Sequence, residues 1–360
     1  MSANPADPGV PGISVLGTAQ RAAWLEKTLP PVERLAGGLW SVPVPIPDNP
    51  LRYTLSYLVP GDDGLVVVDP GWNADETWTA LLAGLAEAGA TPKDITGIVV
   101  THVHPDHHGL SARLRDESGA WVAMHPAERD TLRVTGSGGS SPTAEGWLRL
   151  AGADDAEVTE LVASLDGAGN RDRPAMAEPD VLLEDGDLVP MAGRTLRAVW
   201  TPGHTPGHLC LQEPDARLLL TGDHVLPRIT PNIGLYPNSA ESPLARFLES
   251  LEKIRAYDDH DALPAHEYRF RGLDARAGYL AEHHEQRCRE LVAVVEDLDE
   301  PVVWSVAKNL SWSRPWEQIG HMRFGALAET GAHIEHLVRR GELAWRRDEK
   351  DRPVRVRSAR

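Results

Sequence analysis

Ile95-Thr96-Gly97-Ile98-Val99-Val100-Thr101 runs straight into His102-Val103-His104-Pro105-Asp106-His107-His108-Gly109, and the reading of the whole chain turns on this junction. A run of β-branched residues reads as a buried strand. The turn after it carries four strong metal donors, His102, His104, Asp106 and His107, within six positions. Neutral imidazole and ionised carboxylate are first-choice donors for zinc, iron or manganese, and no thiolate lies nearby. The expectation is a catalytic metal at the end of a strand.

Working outward, the residues before this junction alternate strands and turns: Leu39–Val44, Tyr53–Val59 and Leu65–Val68, then the turn Asp69-Pro70-Gly71. Pro60–Gly64 supplies a hairpin, and a helix is expected over Ala74–Ala88, with Asn73 as N-cap and Gly89 as the stop. After the junction, strands are expected at Trp121–Met124, Leu196–Trp200, Leu209–Gln212 and Leu218–Leu220, and a helix at Pro243–Ala256. Three more donors follow strand-like runs: His204 in Thr201-Pro202-Gly203-His204, Asp223 in Thr221-Gly222-Asp223-His224, and His266 in Pro264-Ala265-His266-Glu267. Functional groups gather where strands end in loops, so these segments are expected to meet at one rim. Seven donors suffice for two metals.

Residues 127–179 are acidic, small and Gly/Ser-rich, notably Gly136–Ser141, with helical stretches at Ala144–Leu150 and Ala156–Leu165. They read as an inserted lid over the site rather than as core. Residues 1–32 read as an extension lying on the main domain, with a weak helix at Thr18–Lys27. After His266 the pattern is helical to about Leu298. Then come Trp304–Asn309, Phe324–Arg340 and two strand-like runs, Ala344–Arg347 and Val354–Arg357. The expected division is an extension at 1–32, a catalytic domain at 33–270 and a C-terminal helical domain at 271–360.

The chain has 360 residues and a net charge of −17, which repels phosphate backbones over most of its surface. The tail differs: Arg339–Arg360 holds nine Lys/Arg against four Asp/Glu. The two cysteines, Cys210 and Cys288, make neither a disulfide framework nor a zinc-thiolate cluster. No apolar run is long enough to span a bilayer, and the first residues lack the basic start and apolar stretch of a secretory signal. The expected location is the cytoplasm, and an isologous homodimer is the commonest assembly for such a chain.

With these motifs in view, the chain resembles the metallo-β-lactamase-fold hydrolases: His-x-His-x-Asp-His at His102, His104, Asp106 and His107, then His204, Asp223 and His266, preceded by Asp69-Pro70-Gly71. The resemblance runs from about Leu39 to His266. It implies an α/β fold, a four-layer αβ/βα sandwich with a dinuclear metal centre. His102, His104 and His204 would hold one metal, Asp106, His107 and His266 the other, and Asp223 would bridge them. Trp304–Leu310 and the following helix resemble, more weakly, the winged-helix appendage of one branch of that superfamily. One departure is Glu267, where relatives usually carry a small residue beside the last histidine.

The chemistry implied is hydrolysis. Two divalent cations about 3.5–4 Å apart share a bridging water, present it as hydroxide and polarise the electrophile. Asp106 and Asp223 are the catalytic candidates; Asp69, Thr101 and Thr221 are expected to orient imidazoles, and His224 and Tyr236 to face the substrate. Two Zn2+ per chain are expected, with iron or manganese as alternatives. The favoured substrate is a thioester or other acyl ester of a small molecule. Single-strand endoribonuclease activity, with nucleic acid on the basic tail, and a diiron oxidoreductase are the alternatives. Phosphate-binding residues are lacking beside the metal loops, which counts against the first. The intact His-x-His-x-Asp-His form leans away from the second.

Overall fold

The computed structural model describes residues 11–136, 144–167, 176–236, 242–346 and 353–359. The chain opens with β1 (Ser14–Val15) and α1 (Thr18–Glu26), followed by β2 (Glu33–Arg34), β3 (Trp40–Pro45), β4 (Tyr53–Pro60) and β5 (Leu65–Val68). Next come α2 (Asp75–Glu87), β6 (Ile95–Val99), the single turn α3 (Pro105–His108), α4 (Ser111–Ser118) and β7 (Trp121–Met124). The insertion supplies α5 (Pro126–Gly136), α6 (Ala144–Ala151) and α7 (Asp155–Gly167). Then follow β8 (Val181–Leu182), β9 (Arg197–Trp200), β10 (Leu209–Glu213), β11 (Leu218–Gly222), α8 (Pro243–Ile254), β12 (Asp261–Pro264) and β13 (Phe270–Arg271). The C-terminal part is α9 (Leu273–Leu298), α10 (Val303–Asn309), α11 (Arg323–Arg339), β14 (Leu343–Arg346) and β15 (Arg355–Ser358).

Among the described residues two large sheets form, in the orders β2-β3-β4-β5-β6-β7-β8 and β1-β13-β12-β11-β10-β9, and β14 pairs separately with β15. Alternation along the strands explains why they stack. Tyr57, Val59, Val66, Val68 and Val99 of the first sheet meet Ala198, Leu209, Leu211, Leu220 and Leu263 of the second in one buried layer. The intervening residues Leu58, Val67 and Ile98 point the other way, onto Trp78, Leu81 and Leu85 of α2 and Leu114 of α4. On the far side, Val199, Cys210 and Leu219 pack against Phe247 and Leu251 of α8 and Leu280 of α9. Helices, sheet, sheet, helices is the four-layer sandwich. The extension joins it directly, since Ser14 and Val15 pair with Arg271 and Phe270 at a sheet edge.

Strand direction places the site. β5, β6 and β7 are parallel, as are β11 and β12. β9 runs antiparallel to β10, which runs antiparallel to β11, so β9 and β11 point the same way. The segments after β5, β6, β9, β11 and β12 carry Asp69, His102–His107, His204, Asp223 and His266, and all emerge on one rim.

Two expectations need correction. Asn73 does not cap α2: Ala74 occupies that position with no side-chain cap, and Asp75 and Glu76 in the first turn interact favourably with the positive end of the helix dipole instead. The insertion is also not a loose cover. Leu148, Ala151, Val158 and Leu161 are buried in one cluster with Val303, Trp304, Trp316, Ile319 and Leu327 of the C-terminal part. Trp304 Nε1 donates to Glu157 Oε1 at 2.9 Å, and the Val354 N–H to Leu150 O at 2.9 Å. Composition hid this because the apolar residues of α6 and α7 are interleaved with charges such as Glu145, Arg149, Glu157 and Glu160, inside a segment that is acidic and Gly/Ser-rich as a whole. Most of the Gly136–Ser141 run lies outside the described residues.

Candidate metal centre

The turn after β6 is shaped by local chemistry. His104 stands before α3 with Pro105 at its first position, where a fixed φ and a missing N–H suit a helix start. The turn is tied to the Asp69 segment: the Gly71 N–H donates to His107 O at 3.3 Å, and the Leu110 N–H to Gly71 O at 2.9 Å. On the other sheet, Gly203 has φ +143°, and a Cβ there would stand 2.5 Å from Phe247 Cα. Gly222 has φ +48°, and its Cβ would meet His208 Nε2 at 2.6 Å. Both positions demand glycine, and both set a donor in place one residue later.

Two triads result. His102 Nε2 lies 2.9 Å from His104 Nδ1, and His204 Nε2 lies 3.1 Å from the same atom. Asp106 Oδ2 lies 3.7 Å from His107 Nε2 and 3.4 Å from His266 Nε2. Asp223 stands between them: its Oδ2 is 3.7 Å from His204 Nε2 and 3.6 Å from His107 Nε2, while its Oδ1 is 3.3 Å from His266 Nε2. Among the described residues, His107 Nε2, His266 Nε2 and Asp223 Oδ1 are buried with no hydrogen-bond partner. Buried polar atoms seldom go unpartnered, and a cation shared by such donors satisfies all three. His102, His104 and His204 form one group able to hold a metal ion, and Asp106, His107 and His266 another.

The second nitrogen of each of four imidazoles is held from behind. His107 Nδ1 meets Asp69 Oδ2 at 2.9 Å, His204 Nδ1 the carbonyl of Asn232 at 2.8 Å, and His266 Nδ1 the carbonyl of Tyr53 at 2.9 Å. His102 Nδ1 lies 3.1 Å from Thr101 Oγ1, which in turn donates to Asp69 Oδ2 at 2.7 Å. Each contact turns Nε2 towards the centre and fixes the ring. Asp223 is steadied by His208, whose Nε2 accepts its backbone N–H at 3.1 Å while Nδ1 meets Thr201 Oγ1 at 2.9 Å.

Electrostatics separates the two triads. Burial pushes His104 down to about 3 and also lowers His102 and His204, so the first triad is neutral and ready to donate. In the second, burial alone would lower His266 and His107, but the Asp223 and Asp106 carboxylates outweigh it. His266 rises to about 10, and His107 moves well above the imidazole range. Conversely, burial would raise Asp223 and Asp106, yet the charged imidazoles hold both carboxylates below their usual range. Protons here occupy the place of positive charge.

Several expected outer residues land differently. Asp69 and Thr101 do touch candidate donors, at His107 Nδ1 and His102 Nδ1. Thr221 does not, because its hydroxyl donates to Val225 O at 2.9 Å. His224 faces no substrate: it is fully buried, with its ring edge against Phe247 at 5.1 Å, and burial pushes it down to about 3. Tyr236 is the exception: it is 40% exposed, its hydroxyl donating to Asn232 Oδ1 at 3.3 Å. Glu267 is buried and turned away from the metal ligands. Its Oε2 accepts the N–H groups of Arg228 and Ile229 at 2.9 and 3.1 Å.

Sequence reading missed Glu128, Asn232, Tyr53 and Thr54. Glu128 is fully buried and joins the two loops of the first triad, with Oε2 accepting the Val103 N–H at 2.7 Å and Oε1 the Gly207 N–H at 2.6 Å. Thr54 Oγ1 donates to Asp106 O at 2.8 Å. A glutamate in the first turn of a helix is ordinary in sequence, and nothing in its neighbours marks this one.

Known proteins share this fold. The profile of the Metallo-beta-lactamase superfamily matches residues 49–266. A metallo-beta-lactamase family protein of Thermus thermophilus superposes with a TM-score of 0.73 at 29% identity, covering 89% of this chain and 99% of that one. A beta-lactamase domain protein of Burkholderia ambifaria gives 0.79 at 25%, covering 97% and 98%. The acyl-coenzyme A thioesterase MBLAC2 of Homo sapiens is 29% identical, over 47% of this chain and 57% of that protein, just over half its length. The profile spans more than half of the chain and ends on His266, the last of the seven donors, so the chain belongs to the Metallo-beta-lactamase superfamily.

Proposed function

We propose that this protein is a metal-dependent hydrolase that cleaves a thioester or other acyl ester of a small molecule at a dinuclear zinc centre. The observation that carries the reading is Asp223, whose two oxygens lie within 3.3–3.7 Å of nitrogens from both triads. The donor set fits two cations: imidazoles and carboxylates without a thiolate, with Cys210 buried and pushed up to about 12 by that burial. Two such ions supply a water of lowered pKa and electrophilic assistance to the acyl oxygen.

The chain's own residues do the rest. Asp106 is the more open of the two central carboxylates, at 14% side-chain exposure against 10% for Asp223. It accepts a hydrogen bond from the attacking water and aims it at the acyl carbon. Asp223 holds the two triads in register. In the reaction the water oxygen bonds to the acyl carbon, the carbon–sulfur or carbon–oxygen bond breaks, and the leaving thiol or alcohol departs with a proton from that water. The likeness to the human acyl-coenzyme A thioesterase supports the acyl class. The tail favours nucleic acid less than its composition implies: Arg346 pairs with Glu300, Arg355 Nη1 donates to Glu300 O at 2.9 Å, and Arg340 meets Glu285 at 2.7 Å. Among the described residues, no helix is long and apolar enough to cross a membrane.

The test is turnover by the zinc-loaded protein across thioesters, lactones, phosphodiesters and RNA. Thioester or ester cleavage that chelation abolishes and zinc restores is the expected result. Cleavage of RNA alone would overturn it.

A further inference from the structure

Three aromatic rings from three separate parts of the chain meet in one strip, which Asn232 links to His204 of the candidate metal centre. Trp147 comes from α6 of the insertion, Phe324 from the start of α11, and Tyr236 from the loop after β11. The Trp147 and Phe324 ring centres are 4.8 Å apart, and Tyr236 stacks on Phe324 at 6.2 Å with 24° between planes. The strip is only partly covered: Trp147 and Phe324 are half-buried, and Tyr236 and the neighbouring Met322 are 40% and 43% exposed. Water-facing aromatic area of this kind is costly unless something apolar covers it.

Its position is set by Asn232. The Asn232 carbonyl accepts from His204 Nδ1 at 2.8 Å, its side-chain oxygen accepts from the Tyr236 hydroxyl at 3.3 Å, and its amide donates to Gly325 O at 3.3 Å. The Leu235 N–H also donates to Ala328 O at 2.9 Å. The aromatic strip is therefore joined through Asn232 to the candidate ligand His204, and the insertion and the C-terminal helix each contribute a ring to it.

We propose that Trp147, Phe324 and Tyr236 bind the apolar acyl arm of the substrate and so set its preferred length. This rests on the hydrolase reading above. An aliphatic chain laid across these rings leaves water, at about 0.8 kcal/mol for each buried methylene. A surface with a net charge of −17 gives an anionic arm no comparable reward. The insertion and the C-terminal domain thereby share one role, each lending a ring to the same contact.

The probes are the acetyl, butyryl and octanoyl thioesters of N-acetylcysteamine, with the S-octyl thioether as an uncleavable ligand. Wild-type protein is expected to prefer octanoyl over acetyl in kcat/KM. Phe324→Ala should reduce that ratio at least tenfold, and the exposed variant Tyr236→Ser should reduce it severalfold without a change in Tm. An unchanged ratio in both variants, or no preference in the wild type, overturns the proposal. If the wild type cleaves no thioester, the hydrolase reading is decided separately by the ester and lactone panel, and thioether binding decides the strip: weakening in both variants supports it, and no binding to the wild type overturns it.

Discussion

The carboxylate of Asp69 lies 2.9 Å from Nδ1 of His107, and its two oxygens also accept the hydroxyl and the backbone N–H of Thr101 at 2.7 and 2.8 Å. With φ at +54°, Asp69 adopts a backbone conformation uncommon for a residue with a side chain, and the result is a carboxylate placed beneath the candidate metal donors His102 and His107. Asp69→Asn replaces one acceptor oxygen with a donor and leaves His107 and Thr101 competing for the other. Zinc affinity is expected to fall about 10- to 100-fold with the fold retained, as read by competition against a chromophoric chelator. Unchanged affinity would remove Asp69 from the ligand-orienting role.

Glu128 makes a second, independent case. Glu128→Ala leaves the buried N–H groups of Val103 and Gly207 without acceptors, at about 1–3 kcal/mol each. The protein should melt several degrees lower, and added zinc should recover less of the loss than in Glu128→Gln, which keeps one acceptor oxygen. Equal melting of the two variants would contradict a bridging role.

Cation binding should release protons. His266, raised to about 10, and His107, held well above the imidazole range by Asp223 and Asp106, carry protons at neutral pH when the site holds no cation, and both must lose them to donate. Calorimetric zinc titrations in buffers of different ionisation enthalpy should report about two protons released per chain. A binding enthalpy independent of the buffer would contradict the protonated second triad.

A titration away from the centre concerns α9 and α11. His284 Nδ1 lies 3.1 Å from His333 Nε2, and His333 Nδ1 donates to Glu329 O at 2.8 Å. Burial pushes His333 down to about 4 and His284 well below the imidazole range. The unfolded chain therefore binds protons that the folded one excludes. Stability should fall as pH drops from about 6.5 towards 4, by on the order of 3 kcal/mol through His333. His333→Leu should flatten this part of the Tm–pH curve, and an unaltered slope would show that the decline has other sources.

How much of this was readable from residues alone follows from the physics of each part. The junction at Thr101–His107 was legible because β-branched residues and clustered imidazoles leave a dense local signal, and the strands around it alternate cleanly between two cores. The distant donors His204, Asp223 and His266 were legible as strand-end residues, although their convergence is a property of strand direction. Thr221 and His224 misled because adjacency in sequence does not fix which way a side chain points after a positive-φ glycine such as Gly222. Glu128 and Asn232 were invisible because they act through backbone atoms of other segments. The burial of α6 and α7 against Trp304 and Leu327 depends on the C-terminal part, which no local composition reveals.

The decisive measurement is anomalous diffraction at the zinc absorption edge from crystals of the zinc-loaded protein. Two peaks are expected, about 3.5–4 Å apart, one among His102, His104 and His204, the other among Asp106, His107 and His266, with Asp223 touching both. No peak at these residues under zinc saturation, or a single peak that leaves one triad empty, would contradict the dinuclear centre.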